Sequence, residues 1–171
     1  MLGIKLLICI AILFITSYIG IELASNLKNR EKELIDMVTF LKLVQNEMKY
    51  MLNSIPDAFE KSRMNLSSSL KNVIGAIVVD MEKQGMNFME NSIDINIAKL
   101  NELSSYDKEI ITSTLKALGK GDFESQNNII NNTIDILENQ IKEAREKKEK
   151  NSKVYKAVGV ISGLLIIVIF I

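Results

Sequence analysis

Two apolar runs, one near each end, constrain this 171-residue chain more than anything between them. Leu6 to Ile21 contains no charged residue, and extending the run to Leu2 and Leu23 gives 22 positions. At a rise of about 1.5 Å per residue, a helix of that length crosses a hydrocarbon core of about 30 Å. Lys5 and Glu22 stand near its two ends, where charged tips reach the headgroups while their stems stay in lipid. The second run, Val154 to Ile171, has 14 apolar residues in 18 and takes the form of a tail anchor, with no hydrophilic tail to translocate. Gly159, Ser162 and Gly163 place small residues on and near one face of it, which permits close helix packing in lipid.

A cleaved signal peptide is the competing reading of the first run. Lys5 would be its basic start, yet no small-x-small site directly follows the run, and Tyr18, Ile19 and Ile21 prolong it. Cys9 is preceded by Ile8 where a lipid-attachment site needs a small residue, so it reads as a small apolar side chain in lipid. Lys28, Arg30 and Lys32 follow the first run, and Lys142, Arg145, Lys147, Lys148, Lys150 and Lys153 precede the second. Basic flanks stay on the cytoplasmic side, so the middle of the chain is expected there and both termini opposite.

That middle, 25–153, retains enough apolar residues for a modest core. The inventory excludes much chemistry: with no His and one Cys, there is no His-based relay, no Cys/His zinc site and no internal disulfide. Leu34, Met37, Leu41, Val44, Met48 and Met51 recur in steps of three and four, the stripe of a long amphipathic helix. Ser54-Ile55-Pro56-Asp57 breaks it, and Pro56, which suits a first helical position, opens a short second helix with Ala58 and Phe59. Ser67, Ser68 and Ser69 offer caps for a third helix bearing Leu70, Ile74, Ile77 and Met81, which Gly85 would end.

At 92–98, Ile93, Ile95 and Ile97 alternate as in a strand, while Met89, Ile93, Ile97 and Leu100 fit a helix. Helix is the expectation, because a lone strand leaves its backbone unpaired. Ser104 and Ser105 can cap a fifth helix with Ile111, Leu115 and Leu118, which Gly119-Lys120-Gly121 ends before Asp122 caps the sixth. Ile130, Ile134, Leu137, Ile141 and Ala144 form the stripe of that last helix, and the charge run Arg145 to Lys153 reads as a solvated continuation toward the second apolar run.

The expected fold is all-α: a six-helix cytoplasmic bundle at 25–153, flanked by transmembrane helices at 1–24 and 154–171. No phosphate loop, dinucleotide-binding pattern or metal-ligand spacing is present. Glu31 with Glu33 and Glu143 with Glu146 could be drawn as acid/base pairs, but helices carry such residues on their wet faces routinely. The sequons Asn65-Leu66-Ser67 and Asn131-Asn132-Thr133 carry no meaning in a cytoplasmic domain. No cofactor or metal is expected, and no enzyme activity.

Several of these residues together resemble the stage III sporulation protein AB family, over nearly the whole chain. They are Glu47 and Tyr50 late in the first soluble helix, Ile55-Pro56-Asp57-Ala58-Phe59, and Leu118-Gly119 with Asp122 and Gln126. Glu149-Lys150-Asn151 with Lys153, Tyr155, Lys156, Gly159 and Gly163 fits the family's juxtamembrane pattern. Gly121 departs from it where a polar residue such as Ser is usual, and Ser54 where many relatives have a second proline. The resemblance implies a domain similar to the F-type platform protein of type II secretion and type IV pilus systems. It implies a membrane adaptor in the channel complex that mother cell and forespore build between them. The implied partners are a companion ATPase, the stage III sporulation AA protein, and other members of that complex. Glu47, Tyr50 and Asp122 would be candidate contacts, each with a plainer reading as solvated residue, half-buried helix residue and helix cap. A membrane-tethered scaffold, with the first and last helices in a coiled coil, is the alternative.

Overall fold

The computed structural model describes residues 2–51, 54–66, 69–84 and 89–170. They form six helices: α1 (Leu2–Tyr50), α2 (Ile55–Arg63), α3 (Leu70–Gln84), α4 (Met89–Ile97), α5 (Ser105–Ala117) and α6 (Phe123–Phe170). No strand occurs among the described residues. Ser67, Ser68 and Gly85, expected as caps of α3, lie outside them. Two compact units result, one of Arg30–Lys142 and one of Met1–Asn29 with Glu143–Ile171.

In the larger unit the apolar stripes become one core. Leu34, Met37, Leu41 and Val44 of α1 are buried with Ala58 and Phe59 of α2 and Leu70, Ile74 and Ile77 of α3. Ile111 and Leu115 of α5 and Ile130 and Leu137 of α6 complete it. The rings of Phe40 and Phe59 meet edge to face at 5.1 Å, which fixes α2 on α1. Helices α2 to α5 each pack on the next.

Local chemistry sets the boundaries. Ser54 holds an extended backbone before α2, and Pro56 takes the second helical position rather than the expected first, where its missing N–H is equally harmless. The segment at 92–98 is helical: Ile93 and Ile97 are buried whereas Ile95 is 54% exposed, the outcome a strand's alternation would not give. Met51 corrects the expected stripe of α1, because it lies past the last helical residue and is 65% exposed.

Ser104 caps α5 through a reciprocal pair. Its hydroxyl accepts the Asp107 N–H at 3.1 Å, and the Asp107 carboxylate accepts the Ser104 N–H at 2.9 Å. At the other end of α5, Gly119 and Gly121 adopt φ of 85° and 101°, values that a side chain would strain. Gln126, buried, clamps this turn by accepting the Gly119 N–H at 2.8 Å and donating to the Gly121 carbonyl at 3.0 Å. Gln126→Ala should therefore cost about 1–2 kcal/mol by orphaning the Gly119 N–H. Urea unfolding of the 25–153 segment reads that cost, and faster amide exchange at Gly119 locates it.

The smaller unit contains the apolar portions of α1 and α6. Thr16 lies against Gly159 and Gly163, and Gly20 against Tyr155 and Gly159, so stepping back one turn on α1 steps forward one turn on α6: the two helices run antiparallel. A Cβ on Gly20 would lie 2.6 Å from the Tyr155 carbonyl oxygen, and one on Gly159 would lie 2.8 Å from that of Thr16. Backbone therefore meets backbone, which only glycine allows. Leu7, Phe14, Ile15, Leu165 and Val168 among others remain exposed on this pair, and both helices are long and apolar enough to cross a membrane.

Candidate interaction sites

Within the larger unit, three polar links hold α1, α5 and α6. Arg30 forks onto Asp107, with Nε donating to Oδ2 at 2.8 Å and Nη2 to Oδ1 at 3.1 Å, while Nη2 also donates to Gln140 Oε1 at 3.0 Å. Asp107 is 0% exposed. Burial pushes its carboxyl pKa up, but hydrogen bonds from Arg30 and Ser104 outweigh that and hold it below the ordinary carboxylate range. The hydroxyls of Thr114 and Thr133 meet at 2.8 Å between α5 and α6, and Gln45 Nε2 donates to Asn127 and Asn131 at 2.6 and 2.8 Å between α1 and α6.

The link at Gln45 places the end of α1 beside the start of α6, since the helices are antiparallel there too. Glu47, Tyr50 and Asp122 consequently share one end of this unit. Tyr50 is 67% exposed with Lys49 Nζ 5.2 Å from its ring centre, and Met51 and Phe123 add exposed apolar surface at the same end. Glu47 lies 3.8 Å from Lys61. Asp122 is a cap, as its plainer reading had it: Oδ1 accepts the Ser125 N–H at 2.9 Å, and the Ser125 hydroxyl and amide keep its pKa low.

The carboxylate pairs gather no catalytic site. Glu143 and Glu146 are exposed, and Glu143 pairs with Lys147 at 2.5 Å along the helix. Glu31 and Glu33 are both buried, contrary to their expected wet position, because this stretch of α1 is enclosed by the body. Two residues apart on a helix, they point to different sides and cannot converge on one substrate. One buried Glu33 oxygen has no hydrogen-bond partner. No cluster of three or more metal-binding side chains occurs among the described residues.

In the smaller unit, Tyr155, Gly159 and Gly163 of the juxtamembrane pattern form the contact with α1. Glu149, Lys153 and Lys156 line a cavity of about 480 Å³ shared with α1, whereas Lys150 and Asn151 do not.

Sequence reasoning missed Arg30, Asp107 and Gln140. The Ser104-x-x-Asp107 spacing announces the capping box, but the ion pair joins residues 77 apart, which spacing cannot reveal. It also missed Thr16 and Gly20, the α1 half of the glycine contact.

These features define a class: an all-helical protein whose two longest helices carry paired apolar segments beside a compact helical body. The chain belongs to the stage III sporulation protein AB family, whose sequence model matches residues 5–171. It is similar to stage III sporulation protein AB of Bacillus subtilis strain 168, at 23% identity over 168 residues covering 96% of this chain and 98% of that protein. No solved structure matches it. Family membership gives it a role in sporulation.

Proposed function

We propose that this chain is a non-enzymatic membrane adaptor of the channel complex between mother cell and forespore. The apolar ends of α1 and α6 cross the mother-cell membrane around the forespore. The body stands in the mother-cell cytoplasm, with both termini on the opposite side. There it receives the stage III sporulation AA ATPase and joins that ATPase to other stage III sporulation A members in the membrane.

The observation that carries this reading is the antiparallel, glycine-paired contact of two otherwise exposed apolar helices. Such a surface is costly in water and suited to lipid, while the glycines give the spans a reason to stay together there. The basic flanks on the body's side of both spans support the orientation. For partner binding, Tyr50, Met51 and Phe123 offer exposed apolar side chains at one end of the body. The scaffold alternative lacks a comparable observation, because Leu34, Leu41, Ile130 and Leu137 are buried in a core that also includes Phe59, Ile74 and Leu115 rather than in a two-helix seam.

Titrating the 25–153 segment with the ATPase tests the reading, followed by gel filtration and calorimetry. A saturable complex that Tyr50→Ala with Phe123→Ala weakens at least about tenfold is expected, a loss of about 1.4 kcal/mol. A folded segment that leaves the ATPase unbound at high concentration contradicts docking on this body.

A further inference from the structure

The cavity in the smaller unit sits where the two helices leave their apolar stretches. Ile21, Ala24 and Lys28 follow one another in steps of three and four, with Ser25 beside Ala24, so a single face of α1 changes along its length from apolar to small to cationic. The facing stripe of α6 brings Lys148, Lys153 and Lys156. Glycine contact draws the backbones together at Gly20 and Gly159, and beyond it the helices border an open cavity of about 480 Å³.

We infer that this cavity is a binding site for the headgroup of an anionic glycerophospholipid. Four lysines line it against one carboxylate, Glu149, so its charge selects a headgroup with net negative charge over a zwitterionic one. Lysine brings compact ammonium charges with three donors each, and the Ser25 and Ser152 hydroxyls add further donors for the oxygens of a phosphodiester. Ile21 and Ala24 supply an apolar floor along which lysine stems can lie.

The same faces argue for a lipid rather than a free phosphate. Stepping from Ile21 toward the middle of the apolar run gives Ser17 and then Phe14, which is 71% exposed. From Lys156 and Lys153 the corresponding steps give Val160 and Leu164, both exposed apolar residues. Acyl chains attached to a headgroup in the cavity would run along these side chains.

The inference rests on the membrane placement proposed above, so the test begins by asking whether the full-length chain resists carbonate extraction from membranes. Extraction into the soluble fraction defeats that placement and the lipid site with it. A chain that stays in the membrane is then purified in detergent and offered phosphatidylglycerol and phosphatidylcholine in equal amounts, with bound lipid read by native mass spectrometry.

The wild-type chain should retain about tenfold more phosphatidylglycerol than phosphatidylcholine. The variant K28Q/K148Q/K153Q/K156Q should lose that preference, while K32Q/K142Q/K147Q/K150Q, which removes equal charge outside the cavity, should keep it. Should the first variant lose helical signal, K28Q/K153Q replaces it, with an intermediate loss expected. Equal losses in the cavity and flank variants would show diffuse attraction and overturn the site, as would equal retention of the two lipids by the wild type. Displacement of bound phosphatidylglycerol by millimolar inorganic phosphate would assign the cavity to free phosphate and overturn the lipid reading.

Discussion

Asp107→Ala lowers the stability of the helical body by about 3 kcal/mol or more, because it takes from Arg30 the carboxylate it forks onto and removes half of the α5 capping box at once. Arg30→Ala has a similar effect for the converse reason: the Asp107 carboxylate, 0% exposed, is left without its guanidinium. Replacing both together costs less than the sum, since neither charge is then abandoned. Thermal and urea unfolding of the 25–153 segment, first checked for helical signal, measures all three variants.

Acid dependence gives the same pair a second signature. The Asp107 pKa is lowered in the folded protein, so its stabilising contribution is full above the unfolded-state value and is lost as pH falls through the folded one. Wild-type stability should therefore drop below about pH 4 by an increment that Asp107→Asn lacks. The gap between the two proteins closes on acidification. A gap that widens instead would mean the carboxylate is destabilised in place.

Gly159→Leu separates the paired apolar helices. Its new side chain would begin 2.8 Å from the Thr16 carbonyl oxygen and 3.0 Å from the Gly20 Cα, backbone that cannot swing aside as a side chain would. Overpacking of this kind costs about 1–3 kcal/mol where the structure yields, and more where it does not. Single cysteines at Thr16 and Ser162, which line one groove, should cross-link under mild oxidation in a Cys9→Ser background. The cross-link should fall several-fold with Gly159→Leu, and persistence at full yield would show that the glycine contact does not hold the helices together.

Sequence and structure part company at instructive places. Periodicity located α3, α5 and the core of α6 because each buries one stripe, and 3.6 residues per turn makes a stripe visible. It resolved 92–98 only with the argument that a strand needs a partner, since three isoleucines fit both periods. It overran α1 at Met51, where apolar character continued past the end of the helix. It placed Glu31 and Glu33 in water because composition assigns carboxylates to surfaces, whereas α1 is surrounded on more than one side.

For the sites, Gly159 and Gly163 permitted a close contact in lipid, but nothing in their spacing said that its other half would be Thr16 and Gly20 of the same chain. The cap at Asp122 was legible from its place after Gly119-Lys120-Gly121 and before an apolar stripe. Nothing local announces that Arg30 meets Asp107, because a fork and a carboxylate are brought together only by the packing of α1 on α5. Likewise the lysines flanking both apolar runs read as orientation signals, and only the antiparallel pairing gathers four of them around one cavity.

The most direct test of the adaptor role is flotation of the sporulation ATPase with liposomes carrying the full-length chain, oriented with the body outward. The account predicts that the ATPase rises with liposomes bearing the wild-type chain, stays at the bottom with empty liposomes, and is largely lost from those bearing Tyr50→Ala with Phe123→Ala. An ATPase that ignores correctly oriented, folded wild-type chain, or floats equally with empty liposomes, would contradict the claim that this protein brings it to the membrane.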